Sequence, residues 1–252
     1  MSTLLVDIGN SRVKWATLEQ GRLGEQRGAE HVGWAVDDWR RVLFVQPGIS
    51  RVIAATVAGG PSAEALRAAA RLEVGVEAIF VATTREAAGV RNAYADPQLL
   101  GVDRWLAVLA AHRAVPGPCC IADIGTAATV DAVTGDGQHL GGFIVPGPAL
   151  MMQSLWRGTS ELAVKTATSG ASGSSLFADN TRDAIARGCC VAIAALVDRS
   201  VAELANRVGV QPVLLLTGGA ASQVLPYVTT SAKVVPELVL QGLAILAGTT
   251  YA

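Results

Sequence analysis

Two stretches of this chain share one design, and that repeat restricts the fold more than any other feature. Residues 4–14 read LLVDIGNSRVK. Leu4, Leu5 and Val6 form a short apolar run of the kind buried in a sheet, Asp7 stands at its end, and Gly9 lets the backbone turn. Val13 and Trp15 resume an alternating pattern, and Gly21 marks a hairpin. Residues 120–133, CIADIGTAATVDAV, run through the same sequence of events. Asp7 aligns with Asp123, Gly9 with Gly125 and Asn10 with Thr126. Self-similarity on this scale marks a duplicated unit. Two similar domains are expected, with their acidic turns facing each other across a cleft.

The segments between the repeats fit an α/β architecture. Residues 40–45 and 51–57 read as strands separated by Pro47 and Gly48. Pro61 opens an alanine- and arginine-rich helix that ends near Gly75, and residues 78–82 form a further strand. A polar connection at 92–97 leads into Gly101, Val102, Asp103 and Arg104 and a helix through His112. Pro116, Gly117 and Pro118 then break the chain, which sets domains of 1–115 and 116–252, with the final helix free to pack back on the first. In the second half, Pro146-Gly147-Pro148 starts a helix, and the Gly/Ser-rich residues 169–175 read as a mobile loop. Asn180 and Thr181 precede a helix that runs into the apolar stretch 189–197. A strand at 213–216 ends in Thr217-Gly218-Gly219, and a helix over 237–247 closes the chain.

Composition narrows the class of function. Hydrophobic residues make up 51% and charged residues 16%, which leaves apolar surface for a partner once a core is filled. With a net charge of -1 and no basic block, nucleic acid is not an expected partner. The four cysteines form two adjacent pairs inside apolar runs, without ligand spacing, and read as buried thiols of a reducing cytoplasm. No charged leader precedes an apolar core, and the longest apolar run falls far short of the roughly 20 residues of a membrane span. A cytoplasmic protein is expected.

A single Asp-x-Gly at a strand end is most simply a turn, but two copies with matching flanks favour a nucleotide. Small residues let backbone N–H groups approach phosphate oxygens, and carboxylates hold a hydrated Mg²⁺ against them. The GxxxxGK[ST] pattern is absent, which excludes a Walker-type kinase. The TGG turn is either a plain β–α connection or a close backbone approach to adenosine. Lys14 is either a solvated strand residue or a phosphate contact. Asp103 and Arg104 read in two ways: as a charge-complemented helix start, or as a base beside an anion-binding arginine. His31, His112 and His139 are scattered without ligand spacing and read as structural.

These blocks together resemble the type III pantothenate kinases, a family that includes the Bvg accessory factors. The resemblance runs through DIGNSRVKW (7–15), YADPQLLGVDRW (94–105), ADIGTAATVD (122–131), GGFIVPGPAL (141–150), NTRDAIARG (180–188), LLLTGG (214–219) and LVLQGLAIL (238–246). It implies the actin-like ATPase fold of the acetate and sugar kinase/Hsc70/actin group, ribonuclease H-like, in two duplicated domains. It also implies transfer of the ATP γ-phosphate to pantothenate. By motif position, Asp7, Ile8, Gly9, Asn10, Ser11, Arg12, Val13 and Lys14 would line the ATP phosphates, with Asp7 near Mg²⁺, and Thr126 would also touch ATP. Asp123 would hold a monovalent cation, K⁺ or NH₄⁺. Tyr94, Gly101, Val102, Asp103, Arg104 and Thr181 would bind pantothenate, with Asp103 as base. Ser11 stands where threonine is commoner, which keeps the hydroxyl. The resemblance further implies a homodimer in which Thr181 reaches the pocket of the other subunit. A non-catalytic regulatory protein of the same fold is the rival, and the joint presence of Asp7, Asp103, Arg104 and Asp123 argues against it.

Overall fold

The structure, a computed structural model, describes residues 2–158 and 176–250, so the loop expected at 169–175 lies outside the described residues. The chain forms two compact units. The first comprises Met1–Pro116, Gly135–Leu140 and Glu237–Ala252, and the second Gly117–Thr134 and Gly141–Pro236.

The first unit is built on a six-stranded sheet. Its strands are β1 (Ser2–Ile8), β2 (Arg12–Glu19), β3 (Arg22–Leu23), β4 (Arg27–Glu30), β5 (Ile49–Thr56) and β6 (Ala78–Phe80), in the order β3-β2-β1-β5-β6 with β4 pairing β2. β1 runs antiparallel to β2 and parallel to β5, and β5 is parallel to β6. Because side chains alternate, β1 sends Leu4, Val6 and Ile8 to a face shared with Trp39 and Leu43 of α1 (Val36–Leu43) and with Leu66, Ala69 and Ala70 of α2 (Gly60–Val74). The opposite face, where Leu5 and Ile53 are fully buried, is covered by α3 (Val102–Ala114) and the C-terminal helix Leu238–Thr250. A Cβ on Gly242 would collide with the backbone of Leu106, so the two helices touch main chain to main chain. A two-stranded ribbon, β7 (Glu86–Ala87) and β8 (Val90–Arg91), precedes α3.

Residues 40–45 are not a strand. They belong largely to α1, which begins at Val36. Trp39 and Leu43, four apart, are its buried residues, Asp37 and Asp38 occupy its first turn, and Arg40 and Arg41 its last. That is helical periodicity with dipole-matched charge, and it shows only when the window opens before residue 40.

The second sheet repeats the first. β9 (Cys119–Ile124), β10 (Ala127–Val133), β11 (His139–Pro146), β12 (Val213–Thr217) and β13 (Ala232–Val234) lie in the order β11-β10-β9-β12-β13. β9 is antiparallel to β10 and parallel to β12, as β1 is to β2 and β5. The helices are α4 (Pro148–Gly158) and the 28-residue α5 (Thr181–Val208); the C-terminal helix Leu238–Thr250 is α6. Asn180 caps α5 by accepting the Asp183 N–H at 3.0 Å. Within the apolar run at 189–197, Cys189, Cys190, Ile193, Ala194 and Val197 are buried in this chain, whereas Ala192 and Ala195 are exposed. Small residues on the outward side leave that face able to meet a partner closely.

All four cysteines are free and buried. Burial pushes the Cys119 and Cys120 thiols up to about 12 and also raises those of Cys189 and Cys190. The thiolate is the nucleophile. The native protein is therefore expected to take up no iodoacetamide over an hour at pH 8, and to label at all four sites once unfolded. Labelling of the native protein would show that these segments open readily.

Candidate active site

The first acidic turn is a four-residue connection. Ile8 pairs with Val13, Asp7 with Lys14, and the Gly9 N–H donates to the Arg12 carbonyl at 2.9 Å. Directly opposed residues of an antiparallel pair share a face, so carboxylate and ammonium project from the same side. Ile8 and Val13 are buried and offer only backbone to a ligand, whereas Asn10 and Arg12 are exposed at the tip and Ser11 is half-buried.

One residue read as structural proves to hold this turn. His31 is buried, its Nε2 lies 2.7 Å from the Gly9 carbonyl, and its own N–H donates to the Ser11 carbonyl at 3.2 Å. A carbonyl only accepts, so Nε2 carries the proton. Trp34 and Trp39 flank the ring, with centroids 6.4 and 5.4 Å away. No spacing in the sequence signals this role, because His31 meets the turn through β4 pairing with β2.

The second turn is one residue shorter. Ile124 pairs with Ala128 and Asp123 with Thr129, and the Gly125 N–H donates to the Ala127 carbonyl at 2.9 Å. Thr129, not Val130, therefore takes the place opposite the acid that Lys14 holds in the first unit. Thr126 is exposed at the tip. Two glycines enclose the turn: a Cβ on Gly147 would strike the Gly125 carbonyl, and one on Gly218 would strike both Asp123 and the Ile124 carbonyl. The TGG connection thus packs on Asp123, and the Ala220 N–H anchors it to the Ile124 carbonyl at 2.8 Å.

Asp103 and Arg104 lie in the first turn of α3, capped by Gly101. Asp103 is half-buried and its Oδ1 accepts the Arg104 N–H at 2.8 Å. Gly101 gives the carboxylate this room, since a Cβ there would lie 2.7 Å from Oδ1. Arg104 is buried, which for an arginine demands partners. Its guanidinium donates to the Tyr94 hydroxyl at 3.1 Å and its Cζ lies 5.9 Å from that ring's centroid. Val102 is buried beneath. The structure therefore joins Tyr94, Gly101, Asp103 and Arg104 in one cluster. Thr181 lies in the second unit, exposed as the first residue of α5. It borders a cleft of about 700 Å³ lined by Met151, Leu155, Ala184 and Cys189.

Among the described residues no group of three or more His, Cys, Asp or Glu side chains could hold a metal alone. A Mg²⁺ that arrives on a nucleotide needs only one or two carboxylates besides the phosphates, and half-buried Asp7, next to last in β1, fits that requirement.

A profile of the type III pantothenate kinase family matches residues 3–203, and a type III pantothenate kinase of Herminiimonas arsenicoxydans is 38% identical over 247 residues, covering 95% of each chain. The chain belongs to the type III pantothenate kinase family. Solved structures place the fold of this family member. The activator of 2-hydroxyisocaproyl-CoA dehydratase from Clostridium difficile, solved with bound ADPNP, is 16% identical over 98% of this chain and 94% of its own, with a TM-score of 0.51. A ROK family glucokinase from Streptomyces griseus is 14% identical over 98% and 99%, with a TM-score of 0.50. The fold is that of the actin-like ATPases and sugar kinases, as the family resemblance implied.

Proposed function

We propose that this chain transfers the γ-phosphate of ATP to the primary hydroxyl of pantothenate, giving 4'-phosphopantothenate, the first step of coenzyme A biosynthesis. The observation that carries the reading is the half-buried Asp103 beside the buried Arg104, which holds the half-buried Tyr94, in a member of this family. Pantothenate offers a carboxylate for the guanidinium and a hydroxyl for the carboxylate. Arg104 grips the one, and Asp103 accepts the proton of the other as the γ-phosphoryl group moves. Gly101 and Val102 shape the floor. Asp7, Ile8, Gly9, Asn10, Ser11, Arg12, Val13 and Lys14 contact the ATP phosphates, and Thr126 joins them. Mg²⁺ beside Asp7, when bound, neutralises charge on the phosphates. ADP release from the pure protein that requires pantothenate tests the reading. No release would leave the regulatory alternative standing. Cytoplasmic residence fits the buried free thiols, and among the described residues no helix is long and apolar enough to cross a membrane.

Asp123 is proposed to hold K⁺ or NH₄⁺, since a carboxylate and turn carbonyls supply hard oxygen ligands. Activity is expected to be low in sodium-only buffer and restored by potassium or ammonium. Equal rates in all three salts would remove the cation from this site.

The working unit is proposed to be a homodimer joined through α4 and α5. Phe143, Ile144, Leu150, Leu155, Leu176 and Phe177 are exposed apolar side chains near these helices in the chain, more than a monomer's surface needs. Sedimentation should give twice the 25.9 kDa chain mass. Co-expressed Asp103→Asn and Thr181→Val chains should regain activity lost in each alone, because a mixed dimer carries one intact composite site. A fully active monomer would refute the dimer.

A further inference from the structure

His139 lies in the second half of the chain, as the first residue of β11, yet it packs in the first unit with the substrate cluster. It is fully buried. Its Nδ1 accepts the Ala93 N–H at 3.4 Å, and its ring is parallel to Tyr94 within 11°, with centroids 6.3 Å apart. Tyr94 in turn receives the Arg104 guanidinium through its hydroxyl at 3.1 Å. A backbone N–H only donates, so the Nδ1 it meets is unprotonated and the ring proton sits on Nε2.

The turn that delivers His139 is tightly seated. Gly137, at φ +84°, has no room for a side chain because the Gly89 carbonyl occupies that space. The Gly137 carbonyl accepts the Arg91 N–H at 2.8 Å, Gln138 Nε2 donates to the Arg91 carbonyl at 3.5 Å, and Asp136 lies 4.0 Å from Arg91. Residues 136–139 are thereby clamped to the β7–β8 ribbon, with His139 behind Tyr94. A leucine would fill such a space without burying polar nitrogen. The imidazole instead supplies an acceptor one residue before Tyr94 and a flat face against its ring.

We propose that His139 is a positioning residue for the acceptor substrate: it fixes Tyr94 and, through it, the plane of the Arg104 guanidinium. The proposal rests on the reading of Tyr94 and Arg104 as pantothenate contacts. Small displacements of a group that orients substrate cost one to two orders of magnitude, so KM for pantothenate should rise about tenfold or more in His139→Ala. KM for ATP should stay within about twofold of wild type, because the clamp holds none of the residues of the first acidic turn. His139→Asn, whose Oδ1 can take the place of Nδ1, should recover part of the loss, and His139→Phe, which keeps the ring but offers no acceptor, less.

Kinetics of the three variants are measured with both substrates, alongside thermal unfolding. A rise in pantothenate KM alone in His139→Ala, partly reversed in His139→Asn, supports the proposal. Unchanged constants overturn it, as does a parallel change for both substrates that follows loss of stability. Fluorine NMR on protein carrying 3-fluorotyrosine separates this outcome from the identity of the substrate. The chain has three tyrosines, and Tyr94→Phe assigns the signal of interest. In His139→Ala that signal should shift and narrow as the ring gains freedom. If wild type phosphorylates no pantothenate, the substrate reading falls by itself, and the fluorine signal decides whether His139 holds Tyr94. An unmoved signal overturns the proposal whatever the kinetics.

Discussion

Asp103→Asn is expected to cut turnover about a hundredfold or more while leaving the protein folded, the usual weight of a positioned base. The reason for separating the two effects lies in the local geometry. Asp103 Oδ1 accepts the Arg104 N–H at 2.8 Å, and an asparagine Oδ1 can make the same bond. The α3 start survives, at the cost of one negative charge near a helix N-terminus, about 0.3–1 kcal/mol. What the amide cannot do is accept the hydroxyl proton during phosphoryl transfer. Binding through Arg104 and Tyr94 should persist, so pantothenate should still protect the variant against heat. Near-normal turnover would remove Asp103 from the mechanism and leave it a helix-start residue. Loss of both binding and folding would show that the carboxylate charge is structural.

Gly218→Ala is expected to damage stability and activity together, and Gly219→Ala to spare stability. Gly218 combines two demands. Its φ of +93° lies where L-residues are strained, at about 1–3 kcal/mol. A Cβ would also collide with Asp123 and the Ile124 carbonyl, neither of which is the loose end of a long side chain. Overpacking of that kind costs about 1–3 kcal/mol more. For a chain of this length each kcal/mol lowers the melting temperature by about 2–4 °C, so a fall of at least about 5 °C is expected. Because the displaced groups form the second acidic turn, the cation response should weaken as well. Gly219 meets nothing within 4 Å, so its alanine variant provides the contrast within the same motif. Equal melting temperatures for the two variants would mean that the turn yields without cost. The two readings left open for TGG are thus narrowed on physical grounds. Gly218 is required by close packing on Asp123, whatever the loop does for a nucleotide.

The local pattern of this sequence determined much of the protein, because it reports forces that act over a few residues. The two DIG turns appear as antiparallel hairpins, each closed by a hydrogen bond from its glycine N–H, and each hairpin's first strand pairs in parallel with a later strand. The start of α3 at Gly101 and the end of α2 at Gly75, in the left-handed conformation, follow from glycine placement alone. The pairing of Asp103 with Arg104 needed only their adjacency. α1 was misread as a strand for a local reason, since its acidic first turn lay outside the window that held its arginines and valine.

Contacts between distant segments were decided by tertiary structure alone. Nothing in the spacing places His31 under Gly9, because the contact depends on β4 pairing with β2. Nothing places His139 behind Tyr94, 45 residues earlier, because that contact depends on the β10–β11 turn seating against the β7–β8 ribbon. The hairpin offset that puts Thr129 opposite Asp123 follows from a turn one residue shorter, which alignment of the two motifs conceals. A lone histidine carries no periodicity and no spacing. Its role is written in the atoms it meets, and only folding brings those within hydrogen-bond range.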